Sequence, residues 1–317
     1  MVDIINGWSI SACAGIFKES TAAVNVHCNN IAWLNNDATN AFYNCQTIQR
    51  VDGLSNDIIN VTNIFYNCQN LIYVESIPNQ LTDLSFLFES CKRLPESPTI
   101  PSKAENLWRT YANCRSLQIA PVIPNSVTNL KCTFYGCNTL TNQPEIPSSV
   151  TTMHGTFQLC INLTTGANVP NSVTNMLGTY CDCYSLINGG ILSTKSTSLH
   201  STFDSCTNLV NAPDIPNSVT NMLQTFSNCY KLTNAPIIPS SVTAMTYTFM
   251  NCTSLENTPT IPNSVIDLRY TFSGCTNIVT APAISQSVQN LYGTFNGCSK
   301  LTGSITILST EITNAQN

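Results

Sequence analysis

Charge is scarce in this chain. Only 9% of its 317 residues are Asp, Glu, Lys or Arg, against about a quarter in an ordinary soluble domain. The 12 Lys and Arg residues form no cluster, and the net charge is −5. That balance excludes a nucleic acid held through phosphate contacts. No apolar stretch is long enough to span a bilayer. The opening Met1-Val2-Asp3-Ile4-Ile5-Asn6-Gly7-Trp8 has no basic segment and no long apolar core, so no ordinary signal peptide is visible. No Gly-rich phosphate loop occurs either.

Cysteine, by contrast, is abundant, and 12 of the 16 cysteines stand 23 residues apart without a slip. They are Cys45, Cys68, Cys91, Cys114, Cys137, Cys160, Cys183, Cys206, Cys229, Cys252, Cys275 and Cys298. A fixed period of this size marks a solenoid, which grows by adding coils and needs no single globular core. Equivalent residues on neighbouring coils then lie about 4.8 Å apart. Stacked equivalent side chains point the same way, which is poor geometry for a disulfide. A row also does not converge as a tetrahedral metal site must. The twelve are therefore expected as a buried ladder of thiols, each packing as a small hydrophobe.

Counting from each cysteine, five further columns repeat. Leu stands at +3 in most units, as in Leu117 and Leu232. An aliphatic residue follows at +9 (Ile123, Ile238), Val at +13 (Val127, Val242), Leu or Met at +16 (Leu130, Met245) and Phe or Tyr at +20 (Phe134, Tyr111, Tyr180). Neither a 3.6 nor a 2.0 period fits the whole unit, so the pattern predicts short straight segments separated by corners. Pro at +10, such as Pro124 and Pro239, makes one corner, and Pro at +7, such as Pro121 and Pro236, shortens any strand before it. The Thr-Phe-x-x-Cys stretch predicts a helical turn, with Thr at +19 able to satisfy backbone groups between coils.

The runs IPNSVTNL (123–130), VPNSVTNM (169–176), IPNSVTNM (215–222) and IPSSVTAM (238–245), each followed by T-[FY]-x-x-C-x-x-L, resemble the repeats of the BspA-like leucine-rich repeat surface proteins. The resemblance covers about residues 35–307, some twelve units. It departs from the family pattern in its +7 prolines and in an Ile-to-Phe stretch one residue shorter. It implies a right-handed leucine-rich solenoid of short strands and short helical turns, used for adhesion or protein binding, with no catalytic residue to carry over. Residues 1–34 fit the template poorly and read as an N-terminal cap, and 308–317 as a short C-terminal tail. Cys13 and Cys28 lie outside the ladder, and the sequence does not say whether they pair.

Function is sought where the repeat does not repeat. The +17 and +18 columns hold Trp108, Arg109, Lys131, His154, His200, Tyr247, Arg269, Tyr270 and Tyr292 in a surface otherwise made of Asn, Thr and Ser. If the turn is helical, +17 and +21 share a face and form a ridge along the coils. Trp, Tyr and Arg dominate binding hot spots, so the ridge is the candidate recognition surface. The competing reading is an outer face where any residue is tolerated. A second candidate is the +8 column of Val122, Glu145, Asn168, Ile191, Asp214, Ile237 and Thr260. His154 and His200, two coils apart, stand about 10 Å from each other and cannot share a metal. The chain reads as a non-enzymatic module binding a protein or glycan, with no cofactor and no metal, on a cell or virion surface. The alternative is an assembly protein that forms homo-oligomers through its thinly covered C-terminal end.

Overall fold

The computed structural model describes residues 2–4, 9–10, 24–28, 32–310 and 312–315. Cys13 lies outside them, while Cys28 is buried. The chain forms two compact units, Met1–Ile161 and Asn162–Asn317. Each is a solenoid of stacked 23-residue coils.

The first unit opens with β1 (Val2–Ile4), β2 (Ser9–Ile10), β3 (Val24–His27) and β4 (Ala32–Trp33). A one-turn 3-10 segment, Leu34–Asn36, leads on to β5 (Ile48–Asp52) and β6 (Tyr73–Val74). Strands β1, β3, β5 and β6 form one parallel sheet in that order, and β2 pairs with β4. Beyond Val74 only single parallel bridges remain, mostly at +15, such as Asn106↔Asn129 in the first unit and Asn221↔Ala244 in the second, and at +5, such as Asn188↔Asn211 and Asn234↔Asn257 in the second. Proline is the cause. Its locked φ and missing N–H at +7 and +10 leave too few donors for a longer strand.

The repeated columns fill the interior. Leu117, Val127, Leu130, Phe134 and Cys137 are fully buried in the first unit, as are Leu232, Val242, Met245, Phe249 and Cys252 in the second. The +20 rings stack face to face along each unit, with centroids 5.6 Å apart for Phe134 and Phe157 and 5.7 Å for Phe249 and Phe272. Two positions in this column are tyrosines, and each hydroxyl has a partner. The Tyr111 hydroxyl lies 2.6 Å from Ser97 Oγ, and the Tyr180 hydroxyl accepts the buried Ala167 N–H at 2.8 Å.

The short helical turns take the form of overlapping i→i−3 turns broken by left-handed residues. In one coil Leu87, Glu89 and Cys91 donate their N–H groups to Leu84, Phe86 and Phe88. The alternate N–H groups, of Leu84, Phe86, Phe88 and Ser90, reach forward to the next coil. Phe86 (φ 60°) and Ser90 (φ 63°) make this alternation possible. Equivalent positions at +22 are rich in Asn and Gly, as at Asn113, Gly136, Asn228 and Gly274, the residues that tolerate this region best.

Side chains answer in the opposite direction. Ten ladder cysteines donate Sγ–H at 2.9–3.2 Å to the carbonyl of an aromatic residue 26 positions earlier, as Cys114 does to Phe88 and Cys229 to Phe203. Thr at +19 does the same to the Leu or Met carbonyl, for example Thr133 to Leu107 and Thr225 to Leu199. Ser at +12 reaches back 22 residues, as Ser149 does to Val127 and Ser241 to Val219. The thiols are thus donors as well as filler. Burial keeps them neutral, pushing Cys160 up to about 12 and Cys298 up to about 11.

Two outcomes are expected. A thiol reagent at pH 8, read by peptide mapping, labels half-buried Cys132 while the ladder cysteines stay unmodified until denaturation. Tyr180→Phe strands the Ala167 N–H and costs about 1–3 kcal/mol in denaturant unfolding. Tyr111→Phe costs less, because Ser97 Oγ also donates to the Pro98 carbonyl.

Candidate recognition surface

The ridge residues are held out by local backbone chemistry. The Asn or Asp at +15 accepts the N–H of the +17 residue, closing an Asx turn. Asn106 does so for Trp108, Asn129 for Lys131, Asp267 for Arg269 and Asn290 for Tyr292, at 2.9–3.1 Å. Thr152 and Ser198 supply longer hydroxyl contacts to the His154 and His200 N–H groups. The +18 residue that follows is left-handed, with φ of 55° at Arg109, 56° at Tyr247 and 53° at Tyr270. Between neighbouring coils +21 meets +18, as Glu89 and Tyr135 both meet Arg109.

In the first unit the Trp108 ring rests against Phe86, with centroids 4.7 Å apart. Lys131 Nζ sits 5.3 Å over the same indole. Among the described residues no carboxylate pairs with Lys131. Arg109 behaves differently. Its Nε donates to Glu89 Oε2 at 2.8 Å and its Nη2 to Glu89 Oε1. The Glu89 side chain is only 5% exposed, so Arg109 neutralises a buried carboxylate and is itself held above its ordinary pKa, chiefly by that hydrogen bond. Its guanidinium also lies 5.8 Å over Tyr135. Burial first, and then the Glu89 charge, pushes the Tyr66 hydroxyl up, while Tyr43 stacks on Tyr66 at 5.0 Å. His154 is half-buried, and burial together with the Lys131 charge lowers its pKa, leaving a neutral imidazole at pH 7.

The second unit carries a ladder of phenols. Tyr247 and Tyr270 stack in parallel at 5.0 Å, and Tyr292 meets Tyr270 edge-on at 5.3 Å. Gly293 (φ 63°) makes room for this, since a Cβ there would lie 2.5 Å from Tyr270 Cε1. Arg269 pairs with Asp267 at 2.7 Å but remains half exposed. His200 is half-buried.

The structure therefore joins Trp108 with Lys131, Arg109 with Glu89 and Tyr135, and Tyr247 with Tyr270 and Tyr292. Glu89 is the residue whose role the sequence did not reveal, since only the coil stacking brings it beneath Arg109. The +15 Asn and Asp residues were a readable signal, because Asn two positions before a variable residue is a turn former. On the second candidate face, Val122 and Ile237 are 87% and 90% exposed. Among the described residues no group of three or more His, Cys, Asp or Glu side chains could hold a metal ion, and no helix is long and apolar enough to cross a membrane.

Arg109→Ala should lower stability by about 3 kcal/mol, the lower end for a broken buried pair, because Arg109 is partly exposed. The double variant Glu89→Leu/Arg109→Leu should recover most of that loss in thermal unfolding.

The BspA type leucine-rich repeat region, in six copies, matches residues 9–118, 109–233 and 223–316. A leucine-rich repeat protein from Bacteroides ovatus superposes with a TM-score of 0.63 at 22% identity, over 86% of this chain and 76% of its own. A leucine-rich cell surface protein from Faecalibacterium prausnitzii gives 0.51 at 20% identity, over 93% and 82%. At these identities the two structures speak for the fold alone. None of the curated proteins compared with the chain matches it.

Proposed function

The chain belongs to the BspA-type leucine-rich repeat family, and we propose that it is a non-enzymatic recognition module that binds an anionic protein segment or glycan through the ridge. One observation carries this reading. Within the ridge Lys131 is a cation held over an indole with no carboxylate partner among the described residues, whereas Arg109 and Arg269 are both paired. A carboxylate or sulfate could dock there against the Trp108 edge, with Tyr135 and His154 as neighbours. The Tyr247, Tyr270 and Tyr292 ladder with Arg269 is the corresponding strip of the second unit. The proposed setting is a cell or virion surface, in keeping with the description of the Faecalibacterium prausnitzii protein. The proposed division is a cap over 1–34, the solenoid over 35–307 and a tail over 308–317.

A second reading, self-assembly at the C-terminal edge of the second unit, draws on Ile305, Ile307 and Leu308, which are 37%, 47% and 52% exposed. Light scattering across concentrations separates the two, because a strict monomer removes the assembly reading.

The test of recognition is an array of acidic and neutral glycans and acidic peptides, probed with the labelled protein. Lys131→Ala should weaken anionic ligands at least tenfold, about 1.4 kcal/mol, at an unchanged melting temperature. Equal binding by the variant removes the ridge from the account.

A further inference from the structure

Each unit has a hollow on its +8 face, and the two occupy the same place in the repeat. In the first unit Ala120, Pro121, Val122 and Pro124 form one wall and Pro144, Glu145 and Pro147 of the next coil the other, bounding an open space of about 500 Å³. In the second, Pro236, Ile237 and Ile238 face Pro259, Thr260 and Pro262 across about 420 Å³.

The prolines explain why the hollows are there. Where the coils lack them, at Ala167 and Gly190, the backbones close on each other. Val169 donates to Ile191 at 2.9 Å and Ile191 to Ala167 at 3.0 Å. Where both +7 and +10 are Pro on facing coils, no backbone hydrogen bond joins residues 119–123 to 142–146, or 235–238 to 258–261. Two residues stand between these prolines, and the second of them, Ile123 or Ile238, precedes a proline and is held extended. The main-chain N–H and C=O of Val122 and Ile237 are thus left to solvent or a ligand, beside aliphatic side chains that project almost fully into water.

We propose that these hollows are docking sites for an extended peptide segment, independent of the ridge. An added strand would pair with the main-chain groups the prolines set free, and one aliphatic side chain would fill the space between the proline walls. The lining has few polar side chains for orienting a sugar. Charge then distinguishes the two. Glu145 is exposed on the rim of the first hollow and pairs with no cation among the described residues, whereas Thr260 stands at that position in the second. The first hollow therefore takes an aliphatic residue adjoining a lysine or arginine, and the second is indifferent to charge.

The experiment uses the full chain with labelled Ile and Val methyl groups, titrated with a capped Gly-Ala-Leu-Lys-Ala-Gly peptide and followed by NMR. Shifts at Val122 and Ile237, saturating near millimolar peptide, about −4 kcal/mol, are expected. Replacing the peptide Leu by Ser should abolish both. Replacing its Lys by Glu should weaken binding at Val122 at least fivefold and leave Ile237 unchanged, and Glu145→Lys should reverse that preference. Val122→Asp, at a solvent-exposed site, should silence the first hollow and spare the second. No shift at either methyl, or shifts insensitive to the Leu-to-Ser change, overturns the proposal. So does loss of peptide binding in Lys131→Ala, because the two surfaces are independent. Failure of the ridge test leaves these results untouched.

Discussion

Every coil must satisfy the buried backbone groups of its neighbours, and this chain does so almost without charge. A buried carbonyl left unpaired costs about 1–3 kcal/mol, and a coil stacked on both sides has many to satisfy. Forward-pointing N–H groups at alternate turn positions meet part of the need. Three backward-pointing side-chain donors, the +12 Ser, the +19 Thr and the cysteine, meet much of the rest, as Ser126, Thr133 and Cys137 do in successive bonds to Ala104, Leu107 and Tyr111. Each is small, neutral at physiological pH and able to point along the stack. A lysine or aspartate in any of these columns would bring a desolvation penalty with no partner. The scarcity of charge is thus a consequence of the coil.

The same bonding pattern decides where variation is allowed. Core columns admit only residues of the right volume, and donor columns only residues with the right hydrogen. The +17 and +18 side chains carry neither duty, because their backbone is already held by the +15 Asx turn and by the bond to the next coil. Large aromatic and cationic side chains collect there for that reason. Some were then drawn into local pairs. Arg109 covers Glu89, and Arg269 leans on Asp267. What remains to meet a ligand is smaller than the ridge as a whole, and Lys131 stands out within it.

Proline has a comparable double effect on the +8 face. It ends the strand, and where it stands at both +7 and +10 on facing coils the backbones between them stay apart. The contrast between residues 166–191, where glycine lets the backbones touch, and residues 119–147, where they part, lies in proline placement. Proline placement in the template therefore leaves space that a partner can use.

The period, the buried columns and the burial of the thiols were legible in the sequence, because each depends on residue type repeated at one spacing. So was the family, from the I-P-x-S-V-T runs and the T-F-x-x-C half. Phe and Cys three apart predict a helical turn, whereas the Asn or Gly that precedes most of the ladder cysteines marks the left-handed backbone that the turn adopts. The cysteine's hydrogen bond was invisible because its acceptor lies 26 residues back and depends on how the coils are offset. Arg109 illustrates the remaining limit. The chain places it in a variable column, but only stacking sets Glu89, 20 residues earlier, beneath it. Sequence alone determined the repeat and what each column must be made of, because those are one-dimensional constraints. Tertiary structure alone decided which variable side chains neutralise one another and which remain available, because that depends on distances between coils.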